Sequence, residues 1–395
     1  MKLYKNLSFA VVELLQQIFE GQRYADKAIE KAFKLNSRWG SRDRKFIAET
    51  TYDIVRWYRL LREVSSADEK DYWKLLGCWL VWKNIDLPAW DEFQHLDRKL
   101  IQQNFNRRHS LAIQQSVPDW LNALGSEELP QRWAAEISSL NTEAAVVLRV
   151  NHLKTNREAL QSQLKEAGIE TVIDERFPDA LILGQRTNVF NTQLFKDGHF
   201  EVQDAGSQLI APYLKIESGM RVIDACAGAG GKTLHLASLL KNKGRIIALD
   251  TEDWKLNELK KRAKRAGATN IETRVIESSK TIKRLHESAD RLLLDVPCSG
   301  VGVLKRNPDA KWKLNPEYMD KVKMVQQKIL SEYSSMLKPG GLMVYATCSI
   351  LPSENEDQVS QWLSQQAGHF ELVKENHCWP SEGFDGFYMA LIKKK

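Results

Sequence analysis

Apolar residues recur along this chain with two different periods, and the place where one gives way to the other divides it. From Asn6 to about Leu140 the spacing is helical almost throughout. Ser41, an N-cap candidate with Asp43 in the first turn, opens a stretch that puts Ile47, Thr50, Ile54, Tyr58 and Leu61 on one stripe. Other amphipathic stretches carry Val11, Leu14, Leu15 and Ile18, then Ala28 and Phe33, then the run Leu75 to Trp82. An all-helical domain over residues 1–140 is expected.

Pro118 and Pro130 punctuate the exit from it, and the pattern shortens. Ala145 to Val150 reads as a strand, and Thr155 or Asn156 as the cap of a helix that runs to Ala167 and is closed by Gly168. Thr171 to Ile173 and Ala180 to Leu183 read as two more strands, which makes 141–200 a small α+β connector. From 201 to 395 strands and helices alternate, as they do in a doubly wound, largely parallel α/β sheet. Strands are expected at Arg221 to Ala225, Arg245 to Leu249, Ile271 to Ile276, Leu292 to Asp295 and Leu342 to Thr347. Leu256, Leu259, Ala263 and Ala266 mark the buried face of one intervening helix; Tyr318, Val322, Val325, Ile329, Tyr333 and Met336 mark that of a longer one opened by Asn315 and Pro316. Glu371 to Val373 and Phe387 to Ile392 suit an antiparallel pair at the sheet edge.

A length of 395 residues suits two or three domains, and the net charge of +6 permits an anionic partner without demanding one. The cysteines Cys78, Cys226, Cys298, Cys348 and Cys378 are odd in number and form no CxxC pair. That points to a reduced cytoplasmic protein with no disulfide framework and no metal, and a monomer is expected. The single short apolar run near the amino terminus is interrupted by Glu13, so neither a signal peptide nor a membrane span is expected.

Chemistry gathers at strand ends in the last domain. LLLDVPCSG, Leu292 to Gly300, is a buried-type strand leading into Asp295, Pro297 and Cys298, and Pro297 stiffens the turn so that carboxylate and thiol can face one crevice. DACAGAGGKT, Asp224 to Thr233, is a glycine-rich turn between a strand and a helix. It lacks the glycine that a Walker A loop needs at Cys226 and the one that a dinucleotide fingerprint needs at Thr233, so a nucleoside without phosphates suits it better. Asp250, ending the next strand, is placed to hold a ribose through its two hydroxyls, or else merely begins a helix. In YATCSILPSENE, Cys348 ends the strand expected to neighbour that of Asp295. Each cysteine alone could be a small buried hydrophobe, but two ending adjacent strands suggest one pocket.

Together DACAGAGGKT, DVPCSGVGVLKRNPDAKW and YATCS resemble the motifs of the RsmB and Nop2/Sun group of RNA cytosine-C5 methyltransferases. VQDAGSQLIAPYL and DGFYMA resemble flanking segments of that group, SRDRKFIAETTYDIVRW its NusB-like amino-terminal domain in the bacterial RsmB type, and LRVNHLKTNREAL its connector. The resemblance implies a class I S-adenosylmethionine-dependent methyltransferase with a Rossmann-like sheet. It implies cofactor contacts from Ala225, Cys226, Ala227, Gly228, Ala229, Gly230, Gly231, Lys232, Asp250, Lys255, Glu277 and Asp295. The family loop more often reads AAPGGK, so Gly228 and Ala229 are departures, and Lys255 stands where arginine is usual.

Cytosine C5 is too poor a nucleophile to take a methyl group unaided, and a thiolate added at C6 makes it an enamine that can. By resemblance Cys348 is the nucleophile, Cys298 assists release, Asp295 bonds the base edge, and Lys232 orients the pocket or favours the thiolate. The implied partner is RNA, with ribosomal RNA of the 16S type ahead of tRNA. Arg38, Arg42, Arg44, Lys45, Arg107 and Arg108 of the helical domain either meet its phosphates or are solvated surface. A DNA cytosine methyltransferase would use the Pro-Cys cysteine itself, yet Ser299 and Gly300 follow it and TCS would be left unexplained. A non-catalytic assembly factor would not need Asp295, Cys298, Cys348 and Lys232 intact.

Overall fold

The computed structural model describes residues 3–395. The chain forms two compact units, one taking the residues up to Thr142 together with Leu304–Pro316, the other Glu143–Val303 with Glu317–Lys395.

The first unit is helical. Its longer helices are Lys5–Phe19, Ala25–Leu35, Ser41–Arg56, Tyr58–Ser65 and Tyr72–Trp82. Val11, Leu14, Leu15, Ile47, Ile54, Leu61 and Leu75 are buried in its core. Ser41 is not the cap of the third helix: Gly40 takes that place, and its N–H donates to the Asp43 carboxylate over 3.1 Å. The stripe read from Ile47 to Leu61 is split, because the helix stops at Arg56 and restarts at Tyr58. Such a break strands backbone groups on both sides. Ser116 Oγ accepts from Arg59 N–H at 2.9 Å on the far side.

On the near side the partners come from Leu304–Pro316, which the sequence pattern leaves in the catalytic domain. Lys311 Nζ donates to Arg56 O at 2.8 Å, and Trp312 Nε1 to Val55 O at 2.7 Å. The Arg56 guanidinium in turn donates to Lys305 O at 2.8 Å, and Asp309 accepts from Ala25 N–H at 3.0 Å. Lys311 is buried, and that burial, with Arg56 close by, pulls its ammonium well below the ordinary lysine range. The segment therefore completes the helical unit.

The second unit holds two sheets. The smaller consists of β1 (Val147–Val150), β2 (Thr171–Val172), β3 (Ala180–Leu183) and β4 (Phe200–Val202), in the order β2-β3-β1-β4 with every pair antiparallel. The helix Arg157–Glu166, capped by Asn156, joins β1 to β2. With the short helix Gln193–Lys196 before β4, this is the split βαβ arrangement of ferredoxin-like folds. Strand β4 is an addition to the three strands expected.

The larger sheet consists of β5 (Arg221–Asp224), β6 (Arg245–Asp250), β7 (Ile271–Val275), β8 (Ala289–Asp295), β9 (Leu337–Thr347), β10 (Phe370–Cys378) and β11 (Phe387–Lys394). Its order is β10-β11-β9-β8-β5-β6-β7, with β5 to β9 parallel and β10 and β11 antiparallel. Ile223, Ile247, Leu292, Leu294, Met343 and Tyr345 are buried on one face, Val222, Ile246, Leu293 and Val344 on the other. Helices cover both, which is why these strands read as continuous apolar runs. In the helix Pro316–Tyr333 the buried residues are Met319, Val322, Gln326, Ile329, Leu330 and Tyr333, while Tyr318 and Val325 of the expected stripe are exposed. Val322, Ile329, Tyr333 and Met336 of that stripe are buried as expected, and Gln326 joins them at a position that the apolar pattern does not mark.

Candidate active site

Strands β5 and β8 are neighbours, and the chain leaves them in opposite directions along the sheet, which makes the space beyond their carboxyl ends the place where such sheets hold ligands. Strand β5 ends at Asp224 and runs through the glycine turn into the helix Gly231–Leu239. Gly228 and Gly230 have φ of 53° and 88°, in the left-handed region that glycine adopts without strain. A side chain on Gly230 would meet Leu259 Cγ at 2.5 Å, whereas a Cβ on Gly228 would point into open space. The turn thus rests on the next helix on one side and is open on the other. The Arg149 guanidinium, from β1, donates to Gly231 O at 2.5 Å, and Arg262 to Ala229 O at 2.8 Å.

Asp250 ends β6. Its carboxylate accepts from Gly228 N–H at 2.8 Å and from Glu252 N–H at 2.9 Å, which aligns it with the turn and leaves each oxygen able to accept once more. Lys255 turns to Glu252 at 2.7 Å, and Glu277 is exposed just beyond β7. Inside the turn Asp224 is fully buried, and Thr233 Oγ1 donates to it at 2.7 Å. Burial, with the like charge of Asp295 added, pushes its carboxyl up to about 7 against the Thr233 bond. Burial and the surrounding carboxylates also raise Cys226 well above the ordinary thiol range.

At the end of β8, Asp295 accepts from Lys232 Nζ at 2.6 Å. Burial draws the lysine down, but the charge of Asp295 and this bond outweigh it, so Lys232 is held above the ordinary lysine range. Both side chains keep some exposure, 12% and 27%, so the pair can be reached from the crevice. Cys298, in the turn after β8, and Cys348, after β9, lie with their sulfurs 3.1 Å apart. Cys348 N–H also donates to Cys298 Sγ at 3.3 Å. The Cys348 contact and burial raise Cys298 well above the usual thiol range, so it stays a thiol while Cys348 lies beside it. Cys78 and Cys378 are buried elsewhere, each raised to about 12.

The loops of three strands meet here at very short range. Gly302 N–H donates to Cys348 O at 3.0 Å, and Gly386 N–H to Gly302 O at 2.7 Å. A Cβ on Gly302 would lie 2.3 Å from Gly386 O, so only glycine fits. Of the residues expected at the site, Lys232, Asp295, Cys298 and Cys348 are paired as described, and Asp250 is bonded to the turn. Lys255 and Glu277 make no bond to that set. The sequence pattern did not single out Arg149, Arg262 or Glu354. Arg149 carried a signal, as a charged residue in the apolar run VVLRV.

Comparison with known proteins fits this geometry. A family model described as 16S rRNA methyltransferase RsmB/F matches residues 211–393, and one for the RsmF/B-like ferredoxin-like domain matches residues 117–190. The probable ribosomal RNA small subunit methyltransferase B of Synechocystis sp. is 37% identical over 316 residues, covering 72% of this chain and 68% of that one. The chain belongs to the RsmB methyltransferase family. The Vibrio cholerae ribosomal RNA small subunit methyltransferase B is 34% identical over 288 residues, covering 70% of this chain and 65% of its own. Among solved structures, that of PH0851 superposes with a TM-score of 0.84 at 25% identity, covering 100% of both chains. The larger sheet is accordingly that of a class I S-adenosylmethionine-dependent methyltransferase, with the ferredoxin-like sheet before it. Among the described residues no helix is long and apolar enough to cross a membrane, and no cluster of three metal-ligating side chains occurs.

Proposed function

We propose that this RsmB-family protein methylates C5 of a cytosine in RNA, small-subunit ribosomal RNA before tRNA, through a covalent bond from Cys348 to C6 of the base. The observation that carries the reading is the pair of thiols 3.1 Å apart beside the Lys232–Asp295 ion pair. S-adenosylmethionine supplies the electrophilic methyl group. Residues Ala225 to Lys232 and Asp250 would hold it, with Lys255 and Glu277 as the further contacts that the family resemblance implies. The turn suits that ligand because it is open at Gly228, whose N–H also orients the Asp250 carboxylate.

In this reading Cys348 adds to C6 and ring electron density moves toward N3 and C5. Asp295 accepts from the exocyclic amine, and Lys232, held charged by Asp295, offers a counter-charge to the anion forming on the ring. After transfer the C5 proton passes to solvent and its C–H electron pair re-forms the C5–C6 double bond. Cys348 leaves as a thiolate, to which the Cys298 thiol, 3.1 Å away, donates a hydrogen bond that assists release. The base must leave its stack to reach the crevice, which favours unpaired RNA. The helical unit, NusB-like by its sequence motif, contributes contacts to the RNA backbone. Five free cysteines suit a reducing cytoplasm, and a monomer holds every group that the reaction uses.

The two thiols supply the test. Cys348→Ala is expected neither to methylate RNA nor to form an adduct. Cys298→Ala is expected to attack and transfer, then to stall as a protein–RNA complex that survives denaturing electrophoresis and requires S-adenosylmethionine. The opposite pattern would make Cys298 the nucleophile, as in DNA cytosine methyltransferases. Full turnover by both variants would end the covalent reading.

A further inference from the structure

The two thiol loops touch at their cysteines, but they are tied together a second time. The second tie comes one residue after each cysteine, and the same side chain makes both. Glu354 lies in the 3-10 turn Pro352–Glu354 that follows β9 and is fully buried. Its Oε1 accepts from Ser299 N–H at 2.8 Å and from Gln326 Nε2 at 3.1 Å. Its Oε2 accepts from Ser299 Oγ at 2.5 Å and from Ser349 Oγ at 2.6 Å. Ser299 follows Cys298 and Ser349 follows Cys348, so one carboxylate bridges the two loops that carry the thiols.

The polarity of this bridge is fixed. Ser299 Oγ already accepts from Val301 N–H and Ser349 Oγ from Leu351 N–H, each at 3.2 Å. A carboxylate can only accept, so beside it the one proton of each hydroxyl points to Glu354, and with the Ser299 N–H and the Gln326 amide all four contacts call for acceptors at position 354. Gln326, from the helix Pro316–Tyr333, spends its other amide hydrogen on Pro297 O at 3.0 Å, which ties the front of the Cys298 loop to the same carboxylate. The bridge is anchored from behind as well. Tyr345 Oη donates to Glu354 O at 2.7 Å, and Thr347 Oγ1 to Asn355 Oδ1 at 2.5 Å, both from the end of β9. A buried carboxylate with four donors and no cation among them is costly unless every bond is kept. The whole arrangement therefore favours one geometry of the two loops.

We propose that Glu354 is the positioning residue that sets the spacing of Cys298 and Cys348, and so governs the hand-over from attack by one thiol to release assisted by the other. Glu354 acts through the two loops and touches no substrate. The second half of the proposal rests on the thiol roles given above; the first half does not.

The test uses the full chain with Glu354→Gln and Glu354→Ala. Phenylarsine oxide, which binds tightly only where two thiols can close on one arsenic, reads the spacing without any reaction. Cys298→Ala and Cys348→Ala define the signal that comes from this pair. Both Glu354 variants are expected to weaken capture at least about tenfold, because the second thiol no longer sits at high effective concentration. Each thiol should still react with a monofunctional reagent, and S-adenosylmethionine affinity and its KM should be unchanged. Turnover should fall about 100-fold, the cost of displacing a reacting group by an ångström or so, and the RNA adduct should accumulate. Glu354→Gln is the decisive variant, since it keeps size and packing but turns donors toward both hydroxyls. Wild-type capture and turnover by folded Glu354→Gln would overturn the proposal. Weakened capture with no adduct in either the Glu354 variants or Cys298→Ala would leave the spacing role standing and refute the thiol assignment instead.

Discussion

Asp224 shows how a single buried side chain makes the cofactor turn sensitive to pH. It is fully buried, and one of its oxygens, Oδ1, has no hydrogen-bond partner among the described residues. Its carboxyl is raised from 3.8 to about 7. Between those values the folded chain holds a proton that the unfolded chain has lost, so stability falls as pH rises through the window. Asp224→Asn removes the titration and keeps an acceptor for Thr233. The melting temperature of the wild-type protein, compared with that of the variant, is expected to be relatively highest near pH 4 and to decline toward pH 7. The ceiling on that decline is about 1.4 kcal/mol for every pH unit crossed. A difference that stays flat across that range would show that the carboxyl titrates normally. Asp224 stands at the head of the glycine-rich motif, yet nothing in the sequence distinguishes a proton-holding carboxyl from one that binds ligand, because only burial decides it. Glu354 is hidden in the same way, being one of two glutamates in LPSENE, of which Glu354 turns inward and Glu356 pairs with His377 at 2.6 Å.

Elements were legible where their signal was local. Strands β5, β6, β8 and β9 are short apolar runs, and the glycine turn announces itself by composition. Legibility failed where a buried residue is polar and its partner is remote in sequence. Strand β4 was missed because its central residue, Glu201, is charged; it is buried against Arg262 and Arg265, which no local pattern foretells. The stripe of Pro316–Tyr333 lacks Gln326 for the same reason, since this buried polar residue has its partners in Glu354 and Pro297. Asp250 works at this scale, joining the end of β6 to the turn that follows β5 through Gly228 N–H. Asp250→Ala removes the expected ribose acceptors and that bond together. Calorimetry is expected to show S-adenosylmethionine affinity falling by at least about tenfold, as one or two charge-assisted hydrogen bonds are worth. Unchanged affinity would take Asp250 out of the cofactor site.

For the whole molecule the domain boundary matters to how RNA binding can be tested. Leu304–Pro316 leaves the Cys298 loop in sequence and completes the helical unit, where Lys311 depends on Arg56 O and Asn141 and Trp312 on Val55 O. Deleting residues 1–142 would strand a buried lysine and a tryptophan, and a loss of RNA affinity would then report misfolding. Substituting surface arginines avoids this. Of the six basic residues that either meet RNA phosphates or are solvated surface, Arg44 donates to Trp39 O at 2.9 Å and Lys45 faces Glu49 at 3.8 Å. Arg38, Arg42, Arg107 and Arg108 are exposed. Changing these four to glutamine leaves the core untouched and removes four positive charges. If they meet phosphates, the slope of log affinity against log salt should flatten by roughly 0.7 to 0.9 for each phosphate no longer neutralised, single strands at the low end and duplex at the high. The effect should be the same for RNAs of different sequence, because backbone contacts carry no base information. A slope identical to that of the wild-type chain would mean that these arginines only solvate the helical unit, and that RNA is held by the catalytic unit alone.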